Sequence, residues 1–204
     1  MDLEEIYQEF TNDQLEEQQY SPGMFWHGSP EKGLRCIKAF ASGDETVSLA
    51  WVSNAFEYAE QFASRLGYVY HIRQTDRLNI WNPRADKDWN DLIKKYPEYN
   101  VDNARNFLKS YDWVGLEIFN IGKMRMIDRN DLLEAIQSLG YNGVFNRESF
   151  NKKPAVGIFN KFVRSLRVFD TYAWDEATKL WRSVSHPNRA YDLKKKSIVS
   201  VKNS

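Results

Sequence analysis

Two strings decide how this chain is read: FWHGSP, from Phe25 to Pro30, and WVSNAFEYAEQFA, from Trp51 to Ala63. The first ends a strand in a turn of small residues, which brings a histidine side chain and free backbone groups toward one cleft. The second is a strand that runs straight into a helix. Residues 46–53 (TVSLAWVS) are rich in β-branched and apolar residues, and Asn54 with Glu57 three positions on has the form of a reciprocal helix start. The helix is expected to run to Gly67, with Ala55, Ala59, Phe62, Ala63 and Leu66 at helical spacing as the face that packs on a sheet. Trp51 leaves the strand end and Phe62 returns from the helix, so two aromatic faces stand near a His-Gly turn. They could hold a flat heterocycle, or they could be core aromatics, which is what most aromatic side chains are.

Together the strings resemble the ADP-ribosyltransferase superfamily, in its diphtheria-toxin and poly-ADP-ribose-polymerase branch with the His, Tyr and Glu signature. His27-Gly28-Ser29 is similar to that family's first element. Trp51, Ser53, Tyr58-Ala59 and Phe62 are similar to the second, in which the last aromatic falls eleven residues after the first. GYNGVFNRES (Gly140 to Ser149) and AVGIFNKFVRSLRV (Ala155 to Val168) resemble the late part of phage and toxin-type members. The resemblance spans Met24 to Val168. Trp51 and Phe62 stand where the family has its stacking tyrosines and keep the π surface. Ala155 stands where the family carries its strand glutamate; Glu148 and then Glu117 are the acids that could serve instead.

The resemblance implies an α+β fold, ADP-ribosyltransferase-like, with two small, packed, mostly antiparallel sheets around an NAD cleft and helices outside. It implies cleavage of NAD at the bond between nicotinamide and ribose, with NAD as co-substrate, and transfer of a single ADP-ribose to a macromolecule. By the same resemblance His27 bonds the adenosine ribose, Gly28 holds the nicotinamide amide through its backbone, Ser29 contacts a ribose, and Trp51 and Phe62 stack on nicotinamide. Ser53 and Tyr58 belong to the same set, and Arg35 or Arg147 would meet the pyrophosphate. His27, Trp51 and Glu148 are the expected catalytic residues. Nicotinamide leaves neutral, so the site must stabilise an oxocarbenium-like ribose with fixed dipoles and carboxylates rather than protonate a leaving group. Small members of this kind are commonly toxins or phage and defence effectors. The alternative is a non-catalytic NAD-binding or protein-interaction module with the same fold, which Ala155 favours and an intact His27-Gly28-Ser29 opposes.

The 204 residues suit one domain, and 42% hydrophobic with 15% aromatic residues argues against disorder. No stretch has the apolar length of a membrane span, and the start lacks the plan of a secretion signal, so a cytoplasmic protein is expected. One cysteine and three histidines give no metal-ligand cluster and no internal disulfide. Charge is uneven: residues 1–20 hold seven acids and no base, while Arg147 to the end holds thirteen bases against five acids. The division read from this is an acidic N-terminal helix over 1–20, an ADP-ribosyltransferase-like domain over 21–185, and a loosely held basic tail over 186–204. The acidic helix could dock a neutralising protein partner. Trp174, Trp181 and Tyr191 interleaved among Arg and Lys lean the acceptor toward nucleic acid, DNA or RNA, over protein.

Elsewhere the pattern predicts a strand at Tyr68 to Arg73 continuing at Leu78 to Trp81, helices at Asp88 to Tyr96 and Val101 to Tyr111, and a strand at Trp113 to Phe119. A further helix, capped by Asp128 or Asn130, carries Leu132, Leu133, Ile136 and Leu139 and closes at Gly140. Strands follow around Gly143 to Phe145, Ala155 to Phe159 and Val163 to Phe169, and a hairpin flanks Asp175 to Lys179.

Overall fold

A computed structural model describes residues 24–39, 47–101, 103–114, 116, 118–122, 125–147 and 154–201; of Met24, Ile121, Gly122, Arg125, Arg147 and Pro154 it describes the backbone alone. The expected N-terminal helix, Glu117 and Glu148 lie outside the described residues. The architecture is α+β. A six-stranded antiparallel sheet has the order β1 (Met24–Ser29), β3 (Tyr68–Gln74), β9 (Leu166–Asp175), β10 (Leu180–Ser183), β11 (Arg189–Asp192), β12 (Ser197–Ser200). A four-stranded sheet runs β2 (Leu49–Val52), β8 (Pro154–Phe159), β7 (Gly143–Arg147), β4 (Ile80–Trp81), with the β4 to β7 pair parallel. β5 (Ile118–Gly122) and β6 (Arg125–Asp128) form a separate hairpin.

Period-two alternation sorts the strands into layers. In β2, Ala50 and Val52 join Tyr70, Ile72 and Leu166 of the larger sheet in an apolar layer between the two sheets. Leu49, with Trp51 beside it, faces the opposite way, toward α2 (Asp86–Lys95), α3 (Ala104–Ser110) and α4 (Arg129–Ser138), which contribute Trp89, Leu92, Leu108, Leu132 and Ile136. On the far side of the large sheet, Trp26, Val69, Tyr172, Trp181 and Tyr191 pack on α1 (Phe56–Ala63). Asp88 joins two layers: its carboxylate accepts from the Asn82 N–H at 2.8 Å and from the Tyr141 hydroxyl at 3.0 Å, and burial raises its pKa.

Several expectations are corrected. Helix α1 starts at Phe56 with no side-chain cap from Asn54; the Ser53 hydroxyl instead accepts from the Ala55 N–H at 3.1 Å. It ends at Ala63, because Ser64 at φ 53° turns the chain out, well before Gly67. Its buried residues are therefore Phe56, Tyr58, Ala59 and Ala63, while Phe62 is 51% and Leu66 93% exposed. Leu78 to Trp81 does not continue β3 but crosses to the other sheet as β4. Trp113 is a fully buried loop residue rather than the start of a strand. Asp128 caps α4 as expected, accepting from the Asp131 N–H at 3.1 Å.

The largest correction concerns the end of the chain. Residues 189–192 and 197–200 are not a loose tail but the last two strands of the large sheet, with Tyr191 opposite Trp181 and Ile198 opposite Tyr191. Tyr191 stacks on Phe56 with centroids 3.8 Å apart at 5°, which ties the end of the sheet to the start of α1.

Candidate functional site

The two sheets meet along one edge. Trp26 and Ser53 exchange both backbone hydrogen bonds, at 2.6 and 2.9 Å, and this isolated rung is where β1 and β2 touch. Beyond it the strands separate, and α1 closes the gap from one side. The resulting cleft of ≈ 270 Å³ is lined by His27, Gly28, Trp51, Tyr58 and Phe62, together with Trp26, Val52 and Ala59. Five residues singled out from the sequence thus come together. Ligand pockets commonly measure roughly 300–1,000 Å³, so this cleft suits one planar ring system and its attachment rather than a whole dinucleotide.

His27 spans the cleft. Its Nδ1 lies 2.8 Å from the Trp51 carbonyl oxygen. A carbonyl only accepts, so Nδ1 carries the hydrogen and Nε2 presents a lone pair. Burial lowers the His27 pKa, and the bond to Trp51 offsets this in part, so the ring is neutral at pH 7. A neutral ring with a fixed tautomer accepts a hydrogen bond from a hydroxyl.

Gly28 has a steric reason of its own. A Cβ there would sit 1.7 Å from the Ala59 carbonyl oxygen and 2.9 Å from the Ala63 nitrogen. Only glycine lets α1 approach β1 this closely, and Ala59 and Ala63 supply the small side chains on the other side. Gly157 plays the same part for Trp51: a Cβ at Gly157 would meet the indole ring at 3.2–3.3 Å, so the ring lies down over β8. Tyr58 is buried with its ring 5.0 Å from that of Phe62, whose exposed face stands at the cleft mouth. Trp51 and Phe62 therefore both border the cleft.

Other expected site residues lie elsewhere. The Ser29 hydroxyl accepts from the Glu31 N–H at 3.1 Å and closes the turn after β1. Ser53 is fully buried, and its hydroxyl accepts from the N–H of Ala55, just before α1. Arg35 is exposed on the irregular segment after β1 and does not line the cleft. Tyr70 pins that segment, donating its hydroxyl hydrogen to the Glu31 carbonyl.

Ala155 is fully buried, opposite Asn146 in the β7 to β8 ladder. Asn146 is 2% exposed; its Nδ2 donates to Asp112 Oδ1 at 2.6 Å, and its Oδ1 has no partner among the described residues. Ser53 continues β2 into the same row, since Val52 is opposite Val156. No local pattern marks Asp112, which arrives from the loop after α3. Trp26, Val52 and Ala59 were also missed as cleft residues, although the alternation along β1 and the small residues of α1 carry their signal.

A larger open groove of ≈ 600 Å³ between α4, β6 and the turn at Pro97 is lined by Glu98, Asp128, Asp131 and Glu134 and by no base. Four carboxylates repel a pyrophosphate, so its size does not make it the better site for a dinucleotide. Among the described residues no group of three or more His, Cys, Asp or Glu could hold a metal ion, and no helix is long and apolar enough to cross a membrane. Compared with protein-family models, curated proteins and solved structures, the chain matches none.

Proposed function

We propose that this protein is a mono-ADP-ribosyltransferase that cleaves NAD at the nicotinamide-ribose bond and passes ADP-ribose to a macromolecular acceptor. The observation that carries the reading is His27: a neutral ring, its tautomer set by the Trp51 carbonyl, in a cleft bordered by Trp51 and Phe62. In this reading Nε2 accepts from a ribose hydroxyl, backbone groups at Gly28 hold the carboxamide, and the two aromatic faces flank the nicotinamide ring. The resemblance to the ADP-ribosyltransferase superfamily, with two sheets meeting at the cleft, supports the same assignment.

Stabilising the ribosyl cation calls for a fixed negative charge. We assign this to Asp112, which accepts a hydrogen bond from Asn146 opposite Ala155 and lies outside the residues that line the cleft. Asn146 acts as a positioning residue.

The test is incubation with NAD labelled on the adenine side, together with cell lysate and, separately, RNA and single-stranded DNA. The expected outcome is label in a macromolecular fraction, lost in His27→Ala and reduced roughly 10²–10³-fold in Asp112→Asn, the range seen when one stabilising group is removed. An Asp112→Asn enzyme with full activity would remove that residue from the mechanism. No turnover of NAD in any mixture would overturn the enzyme reading and leave a binding module.

A further inference from the structure

Of the three residues expected to stack on nucleic acid, Trp181 is fully buried and Tyr191 is buried in the same cluster, while Trp174 is half-buried, with its indole N–H donating to Glu176 at 2.6 Å and the Arg65 guanidinium over its ring at 5.3 Å. A different surface has the required chemistry. In the ladder between β3 and β9, Arg73 lies directly opposite Arg167. Both are exposed, and neither side chain makes a hydrogen bond or ion pair with a described residue. Like charges at directly opposed positions destabilise a sheet, so folding does not account for the pair.

Between them and the cleft the ladder slips. His71 is opposite Asp170 but Ile72 is opposite Val168, so Phe169 is an extra residue, as in a β-bulge. Two residues on from Arg167, Phe169 stands on the face that carries Arg73 and His71. Phe169 is 47% exposed; the Arg73 guanidinium lies 5.1 Å from its centroid, and the His71 ring meets it edge-on at 5.6 Å. His71 in turn stacks on Trp26, with centroids 4.3 Å apart at 14°. Trp26 also lines the cleft. Aromatic rings thus run from Phe169 to the cleft wall, across two strand spacings, about 10 Å.

We propose that the Arg73, Arg167 and Phe169 strip is a docking surface for single-stranded nucleic acid, and that this is the acceptor. The choice of acceptor class rests on the transferase reading above; the docking itself does not. The two guanidinium groups fit phosphates, and the phenyl ring offers a face to a base. An acidic peptide would satisfy the charges but leave the exposed ring unused.

The experiment measures anisotropy of short fluorescein-labelled oligothymidylate and oligoadenylate on the full chain, without NAD, over a range of salt. Wild type is expected to bind with affinity that falls as salt rises. Arg73→Gln with Arg167→Gln should reduce the log–log salt slope by about 1.4, since each phosphate contact on a single strand contributes about 0.7. Phe169→Ala should weaken binding by roughly 5- to 150-fold, the equivalent of one lost base stack. Lys194→Gln with Lys195→Gln, in the turn before β12, should change neither, and unchanged melting temperatures would show that all variants fold. No binding at low salt, insensitivity to these substitutions, or equal binding of a poly-glutamate peptide would each overturn the proposal. So would binding that emerges only when the seven acids of residues 1–20 are changed to Asn or Gln, which would assign the strip to the chain's own acidic segment. Because no step uses NAD, failure of the transferase reading leaves this result intact. Failure of docking leaves label transfer to be traced to a protein acceptor.

Discussion

Replacing Gly28 by alanine tests the packing that shapes the cleft. The new Cβ would lie 1.7 Å from the Ala59 carbonyl oxygen, and real Cβ atoms essentially never approach another heavy atom closer than 3.0 Å, so α1 must retreat by about 1.3 Å. The obstacle is helix backbone, with the Ala59 carbonyl carbon at 2.7 Å and the Ala63 nitrogen at 2.9 Å, so no side-chain rotation relieves it. Overpacking a core typically costs about 1–3 kcal/mol, and a clash against backbone belongs at the upper end, about 3 kcal/mol. For a chain of this length that lowers the melting temperature by roughly 6–12 °C. Retreat of α1 also moves Tyr58 and Phe62 away from His27, so NAD binding should fall in the fraction that remains folded. The measurement is urea denaturation with isothermal titration of NAD, and Gly33→Ala is the control. Gly33 sits at φ 75° with nothing near its missing Cβ, so it loses only the backbone preference of about 1 kcal/mol. A Gly28→Ala protein no less stable than Gly33→Ala would refute the close helix approach.

Phe62→Ala should leave stability within about 0.5 kcal/mol, because the ring is half exposed, yet weaken NAD binding about fivefold through lost stacking; a calorimetric melt and a titration separate the two. Ser183→Ala removes a hydroxyl that lies 2.7 and 2.9 Å from the two oxygens of buried Asp170 and accepts from the His186 N–H, and should cost about 2 kcal/mol in urea unfolding. A loss below about 0.5 kcal/mol would mean that Asp170 is otherwise satisfied. Burial holds both His27 and His71 below the ordinary histidine value of 6.5, so the unfolded chain takes up protons before the folded one does. The stability this gives is complete above pH 6.5 and is lost as pH falls through the folded values. The urea midpoint should therefore be flat from about pH 7 to 8 and decline toward about pH 5.5, less steeply in His27→Gln.

The cleft could be read in the sequence where it depends on local pattern, and not where it depends on register. His27-Gly28 at a strand end and Trp51 at the end of another are local features, and they meet as expected. Phe62 was assigned to the buried face because helical spacing fixes which residues share a face but not where that face points. The close approach of Ala59 and Ala63 to Gly28 sets the buried side of α1 as Phe56, Tyr58, Ala59 and Ala63. Tyr191, which falls in the stretch expected to be a loose tail, differs for a related reason, whereas Trp181 lies in the expected hairpin. A strand with one buried face and one basic face has the same composition as a charged, aromatic tail, and only pairing distinguishes them. The meeting of Arg73 with Arg167 lies in the ladder alone, and that of Asp112 with Asn146 in a side-chain hydrogen bond from the loop after α3.

The stack of Tyr191 on Phe56 also sets an order of events. Phe56 opens the helix that closes the cleft, and the residue that backs it is made 135 positions later. A nascent chain has the His27 strand and α1 long before it has β11. Such distant contacts have to wait for most of the chain and slow its folding. The cleft would therefore take its shape only once Tyr191 has been made, and a chain stopped short of Tyr191 would carry the residues of the site without the support that shapes it.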